Sequence, residues 1–456
     1  KGLEYAFRKY LNGTNGHRLM QKIAKNQWKP ISDVNELDPI DGYDIISTID
    51  VFIQDIAHHA LLKQLELYEA DHGCVVVMET KTGEVKAISN LGRAEDGSYF
   101  ETQNYAVAES HEPGSTFKLL DLIALLDDKK VDTSKVYNTN GGIITIRNRK
   151  VKESQDGGDG SISLARGFEV SSNTVLVQAV QENYKNNPKQ FTDRLSSYGL
   201  NGKIGIQLLG EGKSYIPQPG TDKWNALSLP WMAYGYGVSM TPLQTLTLYK
   251  EIKEWNKTIK KYEAEVINDK MCSDETLAKV KAILANVVKK GTGSKLYSSD
   301  FSMAGKTGTA QVNYSKGKEH MYYASSFVGY FPADKPKYSC IIVVHKPNTS
   351  LNNYYGADVA GPVFKRIAQK IFTDVPNTNK FKSIKLKNAK QDVLYAEYEK
   401  KSQGTTNKIP NVKGMAGMDA VSLLENLGLK VKFIGVGKVK KQSINPGEVF
   451  KKNQTI

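Results

Sequence analysis

Ser115-Thr116-Phe117-Lys118 sets a hydroxyl and an amine three residues apart, at the start of an apolar run. Residues so spaced lie on one face of a helix, which brings the Lys118 amine within reach of the Ser115 oxygen. A serine hydroxyl is a weak nucleophile until a neighbouring base takes its proton. Lysine serves as that base only where burial or another cation keeps it neutral for part of the time. A helix start also offers unpaired N–H groups, that of Ser115 included, to an oxyanion. The chemistry described is nucleophilic attack by a serine oxygen, with N–H groups placed for an oxyanion. Alone, the pattern is equally that of a helix whose serine is an N-cap. Two more segments, Ser171-Ser172-Asn173 and Lys306-Thr307-Gly308, add a second hydroxyl, an amide and a second amine. Taken singly, Ser171 and Asn173 read as a helix start, and Lys306 as a surface lysine.

Other chemistries find less support. No serine sits in GxSxG, the turn of the nucleophile-elbow hydrolases. His58-His59 and His111 lack the HExxH spacing. Asp156-Gly157-Gly158-Asp159-Gly160 has the wrong ligand spacing for a calcium loop and reads as a Gly-rich surface turn. Gly305-Lys306-Thr307 looks like the end of a phosphate-binding loop, but Asp300 stands where that loop needs glycine. Cys74, Cys272 and Cys340 form no CxxC pair, and Cys74 and Cys340 lie in apolar runs as small hydrophobes. No metal and no organic cofactor is expected. Basic residues outnumber acidic ones by 62 to 48, yet only eight of the 62 are Arg. Lysine spread along the whole chain argues against a nucleic-acid partner and fits attraction to an anionic surface such as membrane or cell wall.

The elements that must position these residues are legible in outline. With 456 residues, 40% of them hydrophobic, the chain has material for several domains and a sizeable core. No apolar run approaches the ~20 residues of a membrane span, and no secretory apolar region is present. The chain starts at Lys1 rather than Met, so an anchor is expected upstream. Residues 1–39 read as an extended lead-in. A helix starts near Thr48-Ile49-Asp50, capped by Asp50 or Thr48, with Ile53, Ala57, Ala60, Leu61 and Leu65 at helical spacing. Cys74–Glu79 and Glu84–Ser89 read as a hairpin around Thr82-Gly83. The stretch 115–126 is apolar on most sides and so is a buried helix. Further helices are expected at about 163–181, 187–198, 242–254, 274–290 and 361–372, and strands at 322–330 and 338–344. This order predicts an α+β domain, one antiparallel sheet assembled from distant parts of the chain with helices packed on it. The Lys-rich segment 376–407 reads as a solvated linker. Beyond it, Met418, Val421, Leu424 and Leu427 predict a helix stopped by Gly428, followed by a strand at 429–433 and another near 447–450.

With those elements in place, the chain resembles a class B penicillin-binding protein of the cell-division type. Glu112-Pro113-Gly114-Ser115-Thr116-Phe117-Lys118 resembles that family's nucleophile segment, with Ser171-Ser172-Asn173 where SDN is common. Thr48-Ile49-Asp50 through Gln54, Gly235-Tyr236-Gly237-Val238-Ser239-Met240-Thr241-Pro242-Leu243-Gln244, Lys306-Thr307-Gly308-Thr309-Ala310-Gln311 and Phe327-Val328-Gly329-Tyr330-Phe331-Pro332 are similar to further family signatures. The lead-in Gly2–Gly13 looks like the end of a membrane-proximal pedestal. Ile409-Pro410-Asn411-Val412-Lys413-Gly414-Met415 through Asn445-Pro446-Gly447 resembles a PASTA module that stops one strand short at Ile456. The resemblance implies a pedestal remnant at 1–39, a transpeptidase domain at 40–375, a linker at 376–407 and the PASTA-like module at 408–456. It implies the penicillin-binding serine-transpeptidase fold: an antiparallel sheet flanked by helices, an all-helical subdomain, and a small α/β module.

It also implies roles. Ser115 attacks the carbonyl between two terminal D-alanines of a stem peptide, and Lys118 takes its proton. Ser171 relays a proton to the leaving amine, and Asn173 binds the substrate amide and holds Lys118. Lys306 adds charge that keeps Lys118 neutral and draws the substrate carboxylate, which Thr307 and Thr309 bind. The N–H groups of Ser115 and Thr309 form the oxyanion hole, and Gly308 leaves room for a substrate strand. Implied partners are peptidoglycan stem peptides, β-lactams, a septal glycosyltransferase and divisome membrane proteins. The implied place is the outer face of a bacterial membrane. A D,D-carboxypeptidase and a non-enzymatic β-lactam sensor or wall-binding scaffold remain the alternative readings. No Glu stands in a loop that fits the deacylating base of a class A β-lactamase.

Overall fold

The computed structural model describes residues 2–24, 26–30, 36–154, 157–200, 202–249, 257–260, 263–266, 271–317, 319–351, 353–374, 408–435, 437–451 and 453–456. They form two compact units, divided at 375/376. The expected linker at 376–407 lies outside the described residues, as do Asp156 and the end (250–254) of the helix expected at 242–254.

The larger unit is built on a six-stranded antiparallel sheet. Its strands are β1 (His72–Glu79), β2 (Val85–Arg93), β3 (Tyr99–Phe100), β4 (Ala304–Val312), β5 (Tyr322–Phe331) and β6 (Tyr338–His345). In space they run β4-β5-β6-β1-β2-β3. Side chains alternate across the sheet, so Cys74, Val76 and Met78 enter one core and Val75 and Val77 the other. Both faces are covered, which is why Val75–Val77 and Ile341–Val344 are unbroken apolar runs.

One face carries α2 (Val51–Tyr68) and α9 (Gly361–Asp374). The Asp50 carboxylate caps α2, accepting the N–H groups of Phe52 and Ile53 at 3.0 and 3.1 Å. The Thr48 hydroxyl is used elsewhere, donating to Val85 O at 2.7 Å and tying the helix start to β2. The other face carries a helical subdomain: α3 (Lys118–Asp127), α4 (Leu164–Glu169), α5 (Asn173–Tyr184), α6 (Pro188–Ser197), α7 (Pro242–Thr247) and α8 (Asp274–Lys290). It also holds two short ribbons, Val136–Asn138 with Ser161–Ser163 and Ile143–Ile146 with Arg149–Lys152. Among the described residues no helix is long and apolar enough to cross a membrane.

Three local expectations change. The lead-in is not simply extended: Leu3–Leu11 is a helix, α1, and Met20–Ala24 pairs with Gln27–Pro30. Leu3, Phe7, Tyr10 and Leu11 already have helical spacing, but none of α1 is buried, so the apolar signal is thin. The helix expected over 163–181 is two helices, broken at Ser171, whose φ is +61°. The strand expected at 429–433 is only an isolated bridge. There Lys430 bridges Thr455 in parallel and Lys432 N–H donates to Ile456 O.

The smaller unit has one helix among its described residues, α10 (Gly417–Asn426), closed by Gly428 at φ +85°. Ile409, Val412, Ala420, Leu423, Leu424 and Leu429 form its core. Lys408 bridges Val449, close to the strand expected at 447–450.

Replacing Asp50 by Ala removes the cap of α2. The urea midpoint of the larger unit should fall by the equivalent of about 1 kcal/mol, with the far-UV spectrum retained.

Candidate active site

Ser115 stands half-buried on a single 3-10 turn, Gly114–Thr116, that runs into α3. Gly114 has φ +55°, and a Cβ there would meet Ala310 Cβ at 3.1 Å. At Gly308 a Cβ would come within 2.3 Å of Ser326 Oγ and 2.9 Å of Thr116 Cγ2. The turn therefore lies directly on β4, and glycine at 308 is demanded by that packing inside the protein. The Ser115 N–H takes no turn or loop hydrogen bond among the described residues.

Lys118 does not bond to Ser115. Its buried Nζ donates to Ser171 O at 2.6 Å, to Asn173 Oδ1 at 2.7 Å and, more weakly, to Ser171 Oγ at 3.3 Å. Lys306, on β4 and equally buried, donates to Ser171 Oγ at 2.8 Å and to Thr307 O at 3.0 Å. One hydroxyl thus stands between two amines. Burial pushes Lys118 down to about 8, against the opposing pull of Glu153 and Asp121. Burial, and then the Lys118 charge, push Lys306 well below its ordinary value. The influence expected of Lys306 on Lys118 runs the other way: the Lys118 charge lowers Lys306, while burial lowers Lys118. A neutral amine can accept the Ser171 proton, so the trio forms a path for protons.

The break between α4 and α5 makes this possible. Ser172, not Ser171, caps α5, accepting Val175 N–H at 3.1 Å. The left-handed turn at Ser171 then frees its side chain to face the two lysines. Asn173 opens the helix; its Oδ1 holds Lys118 while its Nδ2 donates to Lys152 O at 2.7 Å. Glu153 accepts the N–H groups of Asn173 and Thr174, at 2.7 and 3.1 Å, and both the Ser172 and Thr174 hydroxyls. A carboxylate at a helix N-terminus is favourably placed. Here it also fixes the capping serine and the two residues that follow it.

On β4, Thr307 Oγ1 lies 2.7 Å from Thr292 Oγ1, and Thr309 Oγ1 accepts Gly356 N–H at 3.0 Å. β4 is an edge strand. Gln311 N–H donates outward to Tyr236 Oη at 2.9 Å, and Thr309, two residues earlier, points its N–H the same way. Tyr236 covers this end of the edge, and Tyr234 packs beside it with ring centroids 5.1 Å apart.

Sequence reasoning missed Glu153, Thr292 and Asp121. Asp121 is fully buried one turn after Lys118, with neither carboxyl oxygen bonded among the described residues. Burial raises its pKa well above the usual carboxylate range, against the pull of Lys118. Glu153 and Thr292 have no local signal; only Asp121, at i+3 from Lys118 on the same helix, was findable.

Known proteins agree with this architecture. The penicillin-binding protein transpeptidase domain matches residues 73–369, and the PASTA domain matches 407–456. The chain belongs to the penicillin-binding protein transpeptidase family, in its class B branch, with a PASTA domain at its C-terminal end. It is 28% identical to stage V sporulation protein D of Bacillus subtilis, over all of this chain and 71% of that protein. It is 25% identical to the peptidoglycan D,D-transpeptidase FtsI of Escherichia coli K12, over 80% of this chain and 62% of that one. The transpeptidase domain of Burkholderia pseudomallei penicillin-binding protein 3 shares the fold. Its TM-score is 0.63 at 23% identity, covering 74% of this chain and 98% of that one.

Glu153→Gln leaves one oxygen for four donors. We expect a loss of about 1–3 kcal/mol in urea denaturation. Because the Glu153 charge raises the Lys118 pKa, the Lys118 titration followed by NMR of 13C-labelled lysine should move to lower pH in this variant.

Proposed function

We infer that the chain cross-links peptidoglycan stem peptides as a D,D-transpeptidase, through an acyl ester on Ser115, and that β-lactams acylate the same oxygen. The observation that carries this reading is Ser171 Oγ held between two buried lysines whose pKa values burial lowers. They lie in a penicillin-binding transpeptidase domain whose half-buried serine precedes Lys118 by three residues.

Lys118 in its neutral form takes the Ser115 proton. Ser115 Oγ attacks the carbonyl carbon between the two terminal D-alanines, and the N–H groups of Ser115 and Thr309 donate to the oxyanion. Ser171 passes a proton to the amine, the C–N bond breaks, and D-alanine leaves. An amine of a neighbouring stem then attacks the ester, the new amide forms, and Ser115 regains its proton. Asn173 holds Lys118 and, by releasing Lys152 O, turns its Nδ2 to the substrate amide. Thr307, Thr309 and Lys306 bind the terminal carboxylate, with Thr292 fixing the Thr307 hydroxyl. Gly308 keeps the Ser115 turn close to β4. The enzyme works in septal wall synthesis on the outer face of the bacterial membrane, beside a septal glycosyltransferase and divisome membrane proteins.

The test is covalent labelling by a fluorescent penicillin. A stable adduct should form and be lost in Ser115→Ala. Its rate should rise with pH through about 8, because loss of the Lys118 proton creates the base. Labelling that survives Ser115→Ala would overturn the assignment, and rapid turnover of the adduct would make the chain a hydrolase.

A further inference from the structure

The aromatic cover of the β4 edge borders a second feature. An open pocket of about 540 Å³ lies there, lined by Tyr215, Leu227 and Trp231 together with Asp222, Lys223 and Asn225. Gly237 also lines it, and its N–H donates to Glu112 Oε1 at 2.8 Å, three residues before Ser115. The Trp231 ring centroid is 6.3 Å from that of Tyr314, which meets Tyr236 edge-on at 5.6 Å. Tyr236 in turn accepts Gln311 N–H. Packed rings therefore join the pocket to the open edge of β4.

The direction of the substrate leads the same way. A donor stem with its carboxylate at Thr307 and its reacting carbonyl at the Thr309 N–H runs antiparallel to β4 (Ala304–Val312). Its N-terminal end, the one linked to the glycan, then passes Gln311, about 7 Å beyond Thr309, and heads for Tyr236 and the pocket.

The polar groups of the pocket are free to bind. Asp222 and Lys223 make no ion pair among the described residues, and the Lys223 amine lies 4.9 Å from the centre of the Tyr215 ring. Asn225 Oδ1 accepts Leu227 N–H at 2.8 Å, which leaves its Nδ2 as a donor. One carboxylate and one ammonium cancel, so the pocket has no net pull on an anionic polymer or a peptide carboxylate. What remains is aromatic surface with donors and acceptors at its rim, and a few such polar groups are enough to orient a ligand. A pyranose ring has the matching form, with C–H groups on its faces and hydroxyl or acetamido groups round its edge.

We propose that this pocket binds an uncharged acetamido sugar of the glycan strand, so that the enzyme grips its donor at the sugar as well as at the terminal carboxylate. The proposal rests on the transpeptidase reading above. Trp231 and Tyr215 supply the stacking faces, and Asp222, Lys223 and Asn225 take the hydroxyl and acetamido groups.

The experiment titrates the whole chain with chitotetraose, an uncharged oligomer of N-acetylglucosamine, by calorimetry. Saturable binding is expected, and it should survive prior labelling of Ser115 by penicillin. Trp231→Ala should weaken it about tenfold. Asp222→Ala, at an exposed position outside the packed rings, should weaken it about threefold and keeps the test open if Trp231→Ala fails to fold. No saturable binding would overturn the proposal. So would binding undiminished in both variants, which would place the sugar elsewhere on the chain, the PASTA domain included. Penicillin labelling of Ser115 in the same sample tests the catalytic reading separately, so failure of the sugar site and failure of that reading are told apart.

Discussion

Lys118 and Lys306 reach the Ser171 oxygen from positions with no access to water, and two ammonium ions cannot share such a place at little cost. Burial disfavours both charges, and the Lys118 charge further disfavours that of Lys306. A solvated lysine would hold its proton too firmly to act as a base near neutral pH. The larger unit can be understood as the arrangement that keeps these amines dry. α3 is apolar on nearly every side, β4 is covered by the Ser115 turn, and the Phe168 ring lies 5.7 Å from the Lys306 amine.

Keeping the amines dry requires fixed partners, since a buried polar group without one is costly. Those partners come from a helix break, a helix start and a strand backbone. Ser171 contributes both its carbonyl and its hydroxyl because the chain turns left-handed there. Asn173 is fixed in turn by Lys152 and Glu153. Glu153 draws no attention in the sequence, yet it holds the cap, the helix start and part of the field around Lys118. Strand β4 is stiffened on one side by β5 and left open on the other, where Tyr236 takes Gln311 N–H. An open edge beside a rigid turn is the geometry in which an extended peptide can pair with a sheet.

The sequence by itself determined the class of fold and most of the large elements, and it singled out the groups proposed for the chemistry. The α8 pattern, the β1–β2 hairpin and the β5 and β6 runs could be read because their burial imprints a local period. Ser115, Lys118, Ser171, Asn173 and Lys306 could be read because three short motifs occur in a known order. The thin apolar signal of α1, the break at Ser171 and the paired but irregular 430–432 segment could not, since no local period distinguishes them.

Tertiary structure decided the pairings. In sequence Lys118 belongs to Ser115 by helical spacing; in space it belongs to Ser171 and Asn173, because packing fixes where a long side chain ends. Ser171 and Ser172 are chemically alike, and only the backbone turn chooses which caps the helix and which faces the lysines. Whether an amine is a base or a surface charge depends on how much water surrounds it, a property of the assembled unit and not of any segment. His72 and His345 are neighbours for a similar reason: strand register, set by the whole sheet, pairs the ends of β1 and β6.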